Sequence, residues 1–127
     1  MSSKEILEDG RARLPPGQFL TTRFPVLTYG STPKVELDGW TFNVAGHGLA
    51  EDIEWTMDEF LALGEHETTR DFHCVTTWSR YDNKWSGVPI EAVWEQIKPH
   101  LTEEVGAVML HCTCGYTTNL LIEDFLK

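Results

Sequence analysis

Trp40, Phe42 and Val44 alternate with Thr41 and Asn43, and Gly46 and Gly48 follow. That period of two is the pattern of a half-buried strand ended by glycine. Thr56-Met57-Asp58-Glu59 reads as a capping box, with Trp55 and Phe60 at the two positions of a hydrophobic staple. Met57, Phe60, Leu61 and Leu63 supply an apolar face and Gly64 a stop, which predicts a short helix over 56–64. Arg70, Phe72 and Cys74 alternate with Asp71, His73 and Val75, predicting a strand that delivers Cys74 to a sheet end. Residues 78–87 read as a polar, aromatic-rich loop. Pro89 suits the first turn of a helix, and Ile90, Val93, Trp94 and Ile97 recur at helical spacing until Pro99. The run 105–110 is almost wholly apolar, as expected of a central strand. A second polar loop is expected over 112–119, and Leu121, Ile122, Phe125 and Leu126 start a last helix.

The first 39 residues have little periodicity and carry turn signals at Pro15-Pro16-Gly17, Pro25, Gly30 and Pro33. Residues 1–13 are expected to be mobile. Phe19, Leu20, Phe24, Val26, Leu27 and Tyr29 are too apolar for a linker, so 19–29 should lie across the domain or line a site. Strands and helices mix without regular βαβ alternation, which favours an α+β fold, a mixed sheet with short helices. No internal repeat and no low-complexity tract interrupts it.

The chain has 127 residues, one domain's worth, of which 41% are hydrophobic and 24% charged. Those values exclude wholesale disorder. A net charge of −10 argues against nucleic acid and against an anionic membrane surface as partners. No apolar run approaches the ~20 residues of a membrane span. The N-terminal stretch carries Glu5, Glu8 and Asp9 and no apolar signal core, so a cytoplasmic location is expected. Three cysteines, Cys74, Cys112 and Cys114, are too few and odd in number for a disulfide framework. Their thiols should be buried, metal-bound or reactive.

Chemistry concentrates in two segments that each place a His-Cys pair where the chain leaves a strand: 73–80 and 111–119. Cys74 has three readings. It is a small buried hydrophobe, a nucleophilic thiolate, or a thiolate ligand of a soft redox metal. Adjacent strand residues face opposite ways, so His73 is badly placed to activate Cys74. A single thiolate holds a metal poorly, so the third reading needs a cofactor to complete the ligand set. Cys112-x-Cys114 with His111 is half of a zinc pattern, completed by His73 and Cys74 only if the two segments meet. Arg80 either meets an anion or pairs with Asp82, and Trp78 and Trp85 belong to a core or wall a pocket.

The segment Asp71-Phe72-His73-Cys74-Val75-Thr76-Thr77-Trp78-Ser79, followed by Trp85-Ser86-Gly87-Val88-Pro89, resembles the molybdenum-ligand segment of the sulfite oxidase superfamily. It is most similar to the bacterial branch of methionine-sulfoxide reductase catalytic subunits and cytoplasmic sulfite oxidase-like oxidoreductases. Arg23-Phe24-Pro25-Val26-Leu27-Thr28-Tyr29-Gly30, 40–46 and Gly115-Tyr116-Thr117-Thr118-Asn119-Leu120 extend the likeness in the right order. The resemblance implies a molybdopterin-binding oxidoreductase domain over 14–127, with a mononuclear molybdenum held by a pterin dithiolene. Cys74 would be its one protein ligand and the catalytic residue, and Phe24, Leu27, Thr28 and Cys112 would contact the pterin. It also implies oxygen-atom transfer on a small sulfur-containing or related oxo substrate, with an unidentified electron-transfer partner. Relatives continue past the position of Lys127, so the chain is expected to hold roughly the N-terminal two thirds of the family domain, a C-terminally shortened form. Two alternatives stand beside this: a non-catalytic family module without cofactor, and a small zinc module using His73, Cys74, Cys112 and Cys114. The role of Cys114 is left open.

Overall fold

The computed structural model describes residues 5–127, and among them seven strands are interspersed with three short α-helices. The mixture is that of an α+β protein, as expected, but the strands divide among three small sheets rather than one. One unit takes the chain up to Leu27 together with Glu67–Ser86; the other takes Thr28–His66 and Gly87–Lys127.

The first unit is built on a three-stranded sheet in the order β1 (Phe19–Leu20), β5 (Trp78–Gly87), β4 (His66–His73). β1 runs parallel to β5, pairing Phe19 with Trp78 and Leu20 with Ser79. The segment 78–87, expected to be a loop, is therefore the longest strand. Its inward positions explain the misreading: Ser79, Tyr81 and Asn83 are buried, and two of the three are polar. Asn83 is satisfied by donating to the carbonyls of Arg70 (3.1 Å) and Arg80 (2.7 Å). Asp82 adopts a left-handed φ of 54°. Trp78 and Trp85 are an odd number of positions apart and in a regular strand would face opposite ways. Both tryptophans nevertheless meet Phe24 and Phe72. Phe72 stacks on Trp78 with centroids 5.3 Å apart, and Phe24 stands edge-on to Trp78 at 5.3 Å and to Trp85 at 6.3 Å. Such pairs add about 0.5–1.5 kcal/mol each beyond simple burial.

Arg13 ties the start of this unit to the sheet. Its guanidinium donates twice to Asp71 (2.7 and 2.8 Å), to Asp82 (2.6 Å) and to Glu5 (2.9 Å), and lies 4.0 Å over the Tyr81 ring. Residues 5–13, part of the stretch expected to be mobile, fold back on themselves through the Ile6–Ala12 bridge and the Arg13 to Glu5 backbone bond. The rest of that expectation, on 1–4, lies outside the described residues.

In the second unit, β2 (Thr41–Val44) pairs antiparallel with β3 (Ile53–Thr56), matching Phe42 to Trp55. β3 runs straight into α1 (Met57–Leu61), whose capping box is complete: Glu59 N–H donates to the Thr56 hydroxyl (3.3 Å) and Thr56 N–H to the Glu59 carboxylate (2.9 Å). The Trp55–Phe60 staple closes at 6.2 Å between ring centroids. α2 (Ile90–Ile97) follows Pro89, which sits at the N-cap rather than inside the first turn. Trp55, Val93 and Ile97 form the buried centre, packed by Phe42, Ile53, Phe60 and Leu101 among others. Pro99 does not stop the chain at once; Lys98–His100 adds one 3-10 turn, which tolerates proline at its start. β6 (Ala107–His111) and β7 (Thr117–Leu121) form a two-stranded hairpin leading into α3 (Ile122–Phe125). Two expectations fail here. The run 105–110 is not a central strand, since Met109 is 58% exposed. The polar loop 112–119 gives up its second half to β7, because Thr117, Thr118 and Asn119 pair with His111, Leu110 and Met109.

Candidate functional site

The β4–β5 hairpin turns at Cys74. Cys74 N–H donates to the Trp78 carbonyl (2.9 Å) and Thr77 N–H to the Cys74 carbonyl (3.0 Å). Three residues lie between the paired ends, and the last of them, Thr77, has a left-handed φ of 75°. A left-handed residue at the last loop position is a usual way of closing three-residue hairpin loops. The tip of the β6–β7 hairpin has the same bonds: Cys112 N–H to Tyr116 carbonyl and Gly115 N–H to Cys112 carbonyl, both 2.9 Å, with Gly115 at φ 87°. Each of the two His-Cys segments thus places its cysteine at the first corner of one turn type. Glycine takes the strained position in one turn, and a β-branched threonine takes it in the other.

The Cys74 sulfur is half-buried and accepts from the Thr76 hydroxyl at 3.2 Å. That hydroxyl, with the backbone N–H groups of Thr76 and Val75, holds the thiol below its ordinary pKa. Hydrogen bonds to the charged form favour it, so the turn presents a sulfur biased toward thiolate. The Cys74 carbonyl also accepts from Gln18 Nε2 at 3.1 Å. His73 does not reach Cys74; its Nδ1 lies 2.8 Å from the Ser79 hydroxyl on the other side of the strand, as the alternation of side chains requires. Buried Trp78 Nε1 and Tyr81 hydroxyl have no hydrogen-bond partner among the described residues, and burial raises the Tyr81 pKa.

The expected pterin contacts fall in both units. Phe24, in the first, has one side engaged with Phe72, Trp78 and Trp85 and is 45% exposed. Leu27, in the same unit, and Thr28, in the other, are exposed. Cys112, in the second unit, is exposed, and its own N–H and carbonyl are spent in its turn, leaving the thiol to meet any ligand. Arg80 does not pair with Asp82: it donates to Asn83 and to the Thr22 carbonyl (3.2 Å), while Asp82 belongs to Arg13. Gln18 escaped sequence reasoning, because nothing in Pro16-Gly17-Gln18-Phe19 singles it out. Thr76 was legible in the motif but not its contact with sulfur.

Among the described residues, no three His, Cys, Asp or Glu side chains converge to hold a metal ion. The donor chemistry at Cys74 is therefore one soft, thiolate-biased sulfur, suited to a redox metal that arrives with its other ligands. A cofactor that brings sulfur ligands of its own fits that donor set.

The comparisons bear on which cofactor. Residues 29–127 match the oxidoreductase molybdopterin binding domain. The chain belongs to that family. It is 41% identical over 119 residues to an uncharacterized oxidoreductase, YuiH, of Bacillus subtilis (strain 168), an alignment covering 93% of this chain and 59% of that protein. It is 36% identical over 107 residues to a putative protein-methionine-sulfoxide reductase subunit, YedZ1, of Azospira oryzae, covering 83% of this chain and 40% of the other. The chain thus spans less than two thirds of either relative. No solved structure matches it.

Proposed function

We propose that this chain is the molybdenum-ligand part of a molybdenum-cofactor-dependent oxidoreductase, with the Cys74 thiolate on the metal. The observation that carries the reading is the Cys74 turn, which biases one sulfur toward its charged form at a place where, among the described residues, no set of three His, Cys, Asp or Glu converges. Bound there, the cofactor supplies a dithiolene-held molybdenum able to exchange an oxygen atom and two electrons with a substrate. The chain's own contribution is positional. Thr76 and the backbone N–H groups of Val75 and Thr76 lower the proton affinity of Cys74 Sγ. The Thr77 N–H fixes the Cys74 carbonyl. Phe24, Leu27, Thr28 and the Cys112 thiol would contact the pterin, the last as a weaker hydrogen-bond donor than a hydroxyl.

The substrate in this reading is a small sulfur-containing or related oxo compound, in keeping with the Azospira relative's name as a methionine-sulfoxide reductase subunit. That name also favours a separate protein that passes electrons to or from the metal. A cytoplasmic location is part of this reading; no helix among the described residues is long and apolar enough to cross a membrane. The test is metal and pterin content of protein from molybdate-supplied cells. About one molybdenum per chain, released with a fluorescent pterin on acid oxidation and lost in Cys74→Ala, is expected. Zinc without molybdenum, or undiminished molybdenum in Cys74→Ala, overturns the assignment.

A further inference from the structure

Tyr29 and Tyr116 stand far apart in the chain but meet edge to face, with ring centroids 5.4 Å apart. Both belong to the second unit. At 64% and 49% exposure, neither ring is there to fill a core. Tyr116 stands opposite Cys112. The register that pairs Leu110 with Thr118 and His111 with Thr117 runs on to them, and Cys112 N–H donates to the Tyr116 carbonyl at 2.9 Å. Side chains directly opposite in an antiparallel pair share a face, so the Tyr116 ring and the Cys112 thiol leave the hairpin on the same side. Tyr29 follows Thr28 directly, so its ring brings the Thr28 segment to that side. Little else holds the segment: among the described residues, no backbone hydrogen bond reaches from 28–36 to the rest of the unit.

We propose that Tyr29 and Tyr116 are positioning residues, whose ring contact clamps the Thr28 segment to the Cys112 turn and so assembles the second unit's share of the pterin contacts. The proposal rests on the reading of Thr28 and Cys112 as pterin contacts, but the clamp itself is tested without the cofactor. Each of those two residues is poorly equipped alone. Thr28 lies on chain that no backbone bond holds, and a ligand that must order such a segment loses affinity by the ordering. Cys112 sits on a well-bonded turn but offers a thiol, a weaker donor than a hydroxyl. With the rings in contact, both residues are ordered before the ligand arrives. An edge-to-face pair suits the task because the ring quadrupoles select the angle of approach as well as the distance. Two aliphatic side chains of similar bulk select neither.

The full chain is produced in molybdate-supplied cells, and molybdenum and pterin per chain are measured after gel filtration. Tyr29→Leu and Tyr116→Leu should each retain less of both than the parent, by about threefold or more. Tyr29→Phe and Tyr116→Phe keep the rings and should stay within about twofold of it. Tyr29→Leu combined with Tyr116→Leu should fall no further than the worse single variant, since either change already breaks the one contact. The clamp is read separately by trypsin on the full chain purified without cofactor. Cleavage after Lys34, on the clamped segment, is compared with cleavage after Lys84 in β5, which general loosening would speed as well. Tyr116→Leu should raise the Lys34 to Lys84 ratio by about threefold or more, and Tyr116→Phe should leave it within about twofold of the parent. An unchanged ratio in Tyr116→Leu, undiminished molybdenum in Tyr29→Leu, or Phe variants that fall as far as the Leu ones overturn the proposal. A parent that retains no pterin, while the ratio still responds, sinks the reading of Thr28 and Cys112 as pterin contacts and the purpose of the clamp with it.

Discussion

Thr77→Gly should stabilise this protein, although it removes a side chain from the best-defined turn. Thr77 holds a φ of 75°, where its Cβ crowds the following carbonyl. That conformation costs an L-residue about 1–2 kcal/mol. Glycine avoids the cost but has more freedom to lose on folding, about 0.5–1 kcal/mol. The net expectation is a gain of about 0.5–1 kcal/mol, or about 2–4 °C in Tm for a chain of this length. The other hairpin gives the reverse experiment. Gly115, at φ 87°, has nothing within 4 Å of where a Cβ would sit, so the Cβ that Gly115→Thr adds meets no neighbour and the variant reports chiefly the backbone term. It should lose about 1 kcal/mol. Urea unfolding followed by tryptophan fluorescence reads the first directly, because Trp78 and Trp85 share the Thr77 hairpin; circular dichroism reads the second. If Thr77→Gly is destabilised by about 1 kcal/mol, or Gly115→Thr matches the parent, left-handed strain is not what distinguishes the two turns.

Two further outcomes follow from the ionisable groups. Arg13→Met keeps the aliphatic stem but removes the guanidinium over Tyr81 and the paired bonds to half-buried Asp71, and should cost about 2 kcal/mol. Arg13 holds the Asp71 pKa below the ordinary carboxylate value, so that stabilisation is whole above about pH 4 and is lost as pH falls through the lowered pKa. The stability gap between parent and Arg13→Met should narrow in acid, and a gap in thermal melts that stays constant down to about pH 2 refutes the pairing. Thr76→Val removes the hydroxyl that donates to Cys74 Sγ, the largest contribution holding the thiol down. The pKa should move up toward the ordinary thiol value, and Cys74 alkylation at pH 7 should slow; an unchanged rate would mean the backbone N–H groups suffice.

Local rules wrote the parts of this protein whose signals lie within a few residues. The capping box at Thr56 and Glu59, the staple of Trp55 and Phe60, the alternation of β2 and the helical spacing of Ile90, Val93, Trp94 and Ile97 need no distant partner, and all reappear in the fold. The Cys74 motif, too, stands in the sequence as a word. What only the tertiary structure decided depends on neighbours far along the chain. Residues 78–87 became a strand because Arg70 and Gln18 satisfy the buried Asn83 and Ser79, and no alternation of apolar residues records such partners. The run 105–110 looked like a central strand because hydropathy counts side chains; the number of strands beside it is a fact of topology. Gln18 was invisible for the same reason. Its bond to the Cys74 carbonyl closes 56 residues of separation, and hydrogen bonds across such spans leave no periodicity to read.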